Sequence, residues 1–136
     1  MRWHWLVAMS FLAVVLVPGG STAAPGKEPI KVHVQSSATL VDQGSVQVNV
    51  RIRCAPFGEA FESNITVTQD DGAVFAQPGL GTPTCDDRWH TTTVVATPFD
   101  GAFHRGHAFA SAFVSRIDPV TGETVQGQDV RNITVR

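Results

Sequence analysis

From Ser45 to Cys54 the chain alternates without a break, with Val46, Val48, Val50, Ile52 and Cys54 on one side and Gln47, Asn49, Arg51 and Arg53 on the other. Successive side chains of a strand point to opposite faces, so the pattern predicts a strand with one buried face and places Cys54 on that face. Any bridge that Cys54 makes must therefore cross or border the core. The 136-residue chain has two cysteines, and Cys85 is the other.

The N-terminus reads as an export signal. Arg2 is followed by an apolar run from Leu6 to Val17, broken only by Ser10, and then by Pro18, Gly19 and Gly20. The run is too short for a spanning helix, which needs about 20 apolar residues. Ser21 and Ala23 are small residues placed for cleavage after Ala23, giving a signal peptide over 1–23. No further apolar run appears downstream, so no membrane span is expected after cleavage. In an oxidising compartment a lone pair of thiols is most simply one disulfide, so Cys54 and Cys85 are expected to pair.

Residues 24–29 read as a flexible lead-in and 30–136 as one domain, near the commonest domain size. Removing Arg2 with the signal leaves 9 basic against 12 acidic residues. The basic residues are dispersed along the sequence, and nothing in the balance points to nucleic acid.

Period-two patterning recurs along the domain. Ile30 to Val34 and Ala38 to Val41 read as a first strand interrupted near Ser36 and Ser37, followed by an Asp42-Gln43-Gly44 turn. Asn64 to Gln69 is a strand with Ile65 and Val67 inward. Asp70-Asp71-Gly72 is a tight turn, and Ala73 to Gln77 a short strand. Gly81 to Cys85 carries Pro83, which fits an edge strand. Trp89 to Thr97 favours another strand, with either Trp89, Thr91, Thr93 and Val95 or His90, Thr92, Val94 and Ala96 inward. His107 to Ile117 alternates alanine with Phe109, Ser111, Phe113 and Ser115. Its alanines would suit a helix, but Phe109, Phe113, Val114 and the β neighbours favour a strand. Asp118 to Gly122 is a hairpin loop, and Val125 to Val135 is the last strand.

Seven to eight short strands with regular turns predict an all-β fold, an immunoglobulin-like antiparallel β-sandwich. The antibody hallmarks are missing: the chain has no Tyr, and no Trp lies between its cysteines. The short spacing instead predicts that Cys54, ending a central strand, reaches a neighbouring edge segment at Cys85.

The valine-rich strand ending in Cys54, the run Ile65-Thr66-Val67-Thr68-Gln69, Thr84-Cys85, Trp89 and Phe103-x-x-Gly106-x-Ala108 form a recognisable order. With the alternating alanines and the Asp118-Pro119-x-Thr121-Gly122 loop, it resembles a group of small secreted actinobacterial proteins of uncharacterised function. The resemblance implies an immunoglobulin-like secreted domain and brings no catalytic residues. A fainter likeness to the neocarzinostatin-type chromophore carriers fails on cysteine pattern, since those carry two disulfides.

Candidate sites are few. Asp86, Asp87, Arg88 and His90 gather around Trp89 beside Cys85, and exposed Trp and Arg are typical anchors of a binding patch. The competing and favoured reading packs Trp89 on the disulfide in the core and leaves the charges as a solvated turn. Asp100, His104 and His107 are a weak metal candidate, because histidines three apart on a strand face opposite ways. Asn64-Ile65-Thr66 and Asn132-Ile133-Thr134 match the glycosylation sequon on outward strand faces. No nucleophile elbow, placed carboxylate pair or phosphate-cradling loop occurs, so neither a catalytic set nor a cofactor is expected. The sequence leads to a secreted non-enzymatic module for an unknown protein or surface partner, or alternatively a small carrier of a metal or apolar ligand.

Overall fold

The computed structural model describes residues 30–56, 61–118 and 120–136. The export signal and lead-in expected over residues 1–29 lie outside them, as does Pro119 of the predicted hairpin loop. The described residues form β1 (Lys31–Val34), β2 (Ser37–Val41), β3 (Ser45–Arg53), β4 (Phe61–Gln69), β5 (Val74–Ala76), β6 (His90–Ala96), β7 (Gly106–Ile117) and β8 (Thr124–Val135). No helix among them is long and apolar enough to cross a membrane.

The strands make an immunoglobulin-like β-sandwich. In one sheet β3 is central, with β6 along one edge and β1 and β2 in succession along the other. The other sheet runs β2-β8-β7-β4-β5. β2 belongs to both, pairing antiparallel with β3 through Thr39–Val41 and parallel with β8 through Ser37 and Ala38. Among the described residues that contact is the one parallel pairing, the other ladders being antiparallel.

Alternation fixes which side chains the sheets bury. Val46, Val48, Val50 and Ile52 of β3 are essentially inaccessible, as are Ile65 and Val67 of β4, Ala110, Ala112 and Val114 of β7 and Ile133 and Val135 of β8. Each valine or isoleucine so buried contributes on the order of 1.5–3 kcal/mol, and these rows outweigh any single polar contact. In β6 the open choice resolves to His90, Thr92, Val94 and Ala96 inward, with Thr91, Thr93 and Val95 exposed. Arg116 falls in step with Ala108, Ala110, Ala112 and Val114, so the period carries a guanidinium inward. Its Nη1 donates to the Ala55 carbonyl at 2.8 Å. Burial lowers its pKa from the ordinary arginine value, against the opposing pull of Asp118.

One expected strand does not form. Among the described residues, Gly81 to Cys85 joins no ladder; the nearest pairing is a single bridge between Asn64 and Gly79. Pro83 has no N–H to donate. The segment instead leaves the β4 edge, where Ser63 Oγ donates to the Gly81 carbonyl at 2.6 Å, and crosses to the other sheet. There Cys85 is joined to Cys54, with a Cα–Cα distance of 4.7 Å.

Two glycines hold the layers close. Gly44 closes the β2–β3 turn at φ 72°, and a Cβ there would strike the Ala102 side chain. Phe103, which is buried, donates its N–H to the Gly44 carbonyl at 2.8 Å. On β8, a Cβ at Gly127 would meet the Ile30 carbonyl and the Val32 side chain. Here β1 lies against the flank of β8, and the Val34 N–H donates to Asp129 Oδ2 at 2.7 Å.

Two outcomes test this arrangement. Replacing both cysteines by alanine removes a 31-residue separation from covalent closure, which by chain entropy is worth roughly 3.5–4 kcal/mol. The thermal midpoint should fall by more than about 10 °C, and calorimetry of the double variant measures it. Gly127→Ala should cost about 1–3 kcal/mol through overpacking against β1, read from the urea midpoint; an unchanged midpoint would mean that β1 does not approach β8 this closely.

Candidate functional site

Trp89 is not a core residue. It precedes β6, is 38% exposed, and carries the Arg51 guanidinium over its ring at 4.9 Å from the centroid. The reading that packed it on the disulfide is thereby corrected. The period explains the outcome: the inward row of β6 takes His90, so Trp89 falls out of phase with the core and meets the outward side chain of Arg51 instead.

The predicted neighbours of Trp89 do assemble around it. Asp86 Oδ1 lies 2.7 Å from His90 Nε2 and accepts the Arg88 N–H at 3.1 Å. The hydrogen bond from His90 is the largest cause that holds the Asp86 carboxyl below its usual range. Asp87 adopts φ 63°, donates its N–H to the Cys54 carbonyl at 2.9 Å, and accepts Arg53 Nε on its own carbonyl at 2.9 Å. The disulfide and these bonds pin the loop against the end of β3.

The fold adds residues that the sequence keeps apart. β1 and β3 pair in a register that sets Lys31 opposite Arg53 and His33 opposite Arg51. All four alternate with inward Val32, Val34, Val50 and Ile52, so they share the outer face. Arg131 of β8 reaches the same edge, its Nη2 donating to His33 Nδ1 at 3.2 Å while its Nε bonds Asp129 at 3.3 Å. The next row is neutral and hydrogen-bonded from β6 through β3 to Gln35, just past β1. Thr93 Oγ1 donates to Asn49 Oδ1 at 2.7 Å, and Asn49 Nδ2 donates to Gln35 Oε1 at 3.1 Å. Basic residues dispersed in the sequence are thus gathered on one face beside an exposed indole.

The metal candidate takes another form. His104 turns to the β4–β5 turn, with Nε2 at 2.9 Å from Asp70 Oδ2 and Nδ1 at 2.9 Å from the Arg105 carbonyl. Asp100 accepts the N–H of Gly101 at 2.9 Å. His107 lies on exposed β7 surface beside a cleft of about 330 Å³, together with Asp70, Asp71, Phe109 and Asn132. Among the described residues, no three His, Cys, Asp or Glu side chains converge as a metal set.

Buried Gln69 organises this end of the sandwich. Its Nε2 donates to the carbonyls of His104 and His107, and its Oε1 accepts the His104 N–H. The sequon asparagines stand on the outer face of the β4–β7–β8 sheet, Asn64 opposite Phe113 and Asn132 opposite Phe109.

No family model, curated protein or solved structure matches the chain.

The Arg105 carbonyl, and after it the Asp70 carboxylate, raise the pKa of His104 above its ordinary value, because both accept hydrogen bonds from the charged ring. The interaction therefore stabilises the fold below the free imidazole pKa and is lost as pH rises through the raised value. Asp70→Asn should lower the His104 titration midpoint while the carbonyl keeps it above that of a free histidine. An NMR titration of the ring Cε1–H checks this.

Proposed function

We propose that this is a secreted, non-enzymatic binding module that engages its partner through the outer face of β1, β3 and β6, with Trp89 as the anchor. The observation that carries the reading is the Arg51–Trp89 stack, 4.9 Å from guanidinium to ring centroid, held at the surface rather than in the core. Trp and Arg dominate binding hot spots because both bring large contact area with a directional polar or cationic part. The loop that presents Trp89 is tied down by the Cys54–Cys85 bridge and the Asp87–Cys54 and Arg53–Asp87 bonds. A partner would thus meet an already ordered surface, which lowers the entropic cost of association.

Secretion is supported by the leader pattern and by the disulfide, which belongs to an oxidising compartment. The alternative of a metal or apolar-ligand carrier finds less support: the cleft of about 330 Å³ beside His107 is lined in part by the polar Asp70–Gly72 turn, and among the described residues no three His, Cys, Asp or Glu side chains converge.

The reading is tested by retention on the extracellular and envelope material of the producing organism. Trp89→Ala and Arg51→Ala should each weaken retention by about 30-fold, the size of a 2 kcal/mol hot spot. Neither should lower stability by more than about 1 kcal/mol, because the stack is at the surface. Equal retention of parent and both variants would reject this surface.

A further inference from the structure

Lys31 and Arg53 face each other directly across an antiparallel ladder, and the adjacent row of that ladder sets His33 beside Arg51. Like charges placed directly opposite are unfavourable to a sheet. The second sheet adds Arg131, which donates to His33 rather than moving away from the cluster. The result is an array of four permanent cations and one imidazole. Its spacings are about 5 Å between strands and 7 Å along them, on a protein whose formal net charge is −2.

We propose that this array, which rests on the binding surface assigned above, takes an acidic polysaccharide: a linear glycan that carries carboxylate groups along its length. Charge complementarity selects a polyanion, and the rest of the face selects which. The cations adjoin the hydrogen-bonded Gln35–Asn49–Thr93 row, which offers amide and hydroxyl groups to sugar hydroxyls. Trp89 offers a ring surface to the apolar C–H side of a pyranose.

The other polyanions fit less well. The chain's negative balance opposes the long-range attraction on which binding to duplex nucleic acid depends. Apart from Trp89, the exposed large apolar side chain described on this face is Val95, which is little to insert into a bilayer. The flanking carboxylates set the path. Asp86 and Asp87 bound the array at the Trp89 loop, and Asp129 is held by Arg131 and the Val34 N–H. The glycan carboxylates would accordingly run over Lys31, Arg53, Arg51 and His33.

The purified protein, disulfide intact, is titrated with polygalacturonate and, in parallel, with neutral dextran, poly-L-glutamate, duplex DNA and phosphatidylglycerol vesicles. Polygalacturonate should bind, and its affinity should fall steeply between about 50 and 200 mM salt as released counterions lose their advantage. The double variant Lys31→Gln/Arg51→Gln should lose at least about tenfold in affinity. Its melting temperature should stay within about 5 °C of the parent, because the relieved Lys31–Arg53 opposition offsets the lost Arg51–Trp89 stack.

Parent-like binding by the double variant would overturn the proposal, as would equal binding of dextran. Tighter binding of polyglutamate, DNA or vesicles would overturn it in favour of that polymer or surface. If polygalacturonate is not bound but Trp89→Ala still abolishes retention on envelope material, the glycan assignment falls and the binding surface stands. If both fail, both fall.

Discussion

A slip of β3 by one residue would turn Val46, Val48, Val50, Ile52 and Cys54 to solvent and bring Gln47, Asn49, Arg51 and Arg53 into the core. That register holds the most dependent features of the molecule. Through it β3 offers one edge to β6 and the other to β1 and then β2, and its buried row shares one hydrophobic core with the small side chains of β7. The same register delivers Cys54 to the position where Cys85 can be reached, and it aims Arg51 and Arg53 outward on the surface where Trp89 emerges. Core, covalent closure and candidate surface are consequences of one alternating decapeptide.

Much of the fold was legible because the period-two signal is local. β3, the turn at Asp70–Gly72, the long alanine-alternating β7 and its hairpin with β8 all follow from residues adjacent in the chain. Gly81 to Cys85 misled because a short run with one Pro reads alike as an edge strand or as a crossing segment, and only the destination of the chain separates the two. β2's division between two sheets is likewise a matter of tertiary placement, with no local marker beyond the break at Ser36.

The candidate surface was half visible. The loop residues Asp86 to His90 are neighbours in sequence and could be grouped by inspection. The outward direction of Arg51 and Arg53 was already implied by the alternation that buries Ile52. What no local pattern carries is the pairing of β1 with β3, which sets Lys31 and His33 beside those arginines, or the reach of Arg131 from the opposite sheet. Trp89 shows the limit from the other side. Its bulk argues for burial, but bulk is subordinate to phase, and the phase of β6 is set by Ala96 and Val94 against the core. Arg116 obeys the same rule in reverse: a charged residue is carried inward because it keeps step with Ala108, Ala110, Ala112 and Val114.

The two outer faces of the sandwich differ in kind. One gathers the cations and the indole, whereas the face of β4, β7 and β8 presents Phe109, Phe113 and Val130 among amides and hydroxyls, with Asn64 and Asn132 each directly across from a phenylalanine. Both glycosylation sequons therefore open onto the same side. Protein made in a host that modifies them would be shielded on that side alone, leaving Trp89 and the arginines bare and making the coated molecule a one-faced version of the uncoated one.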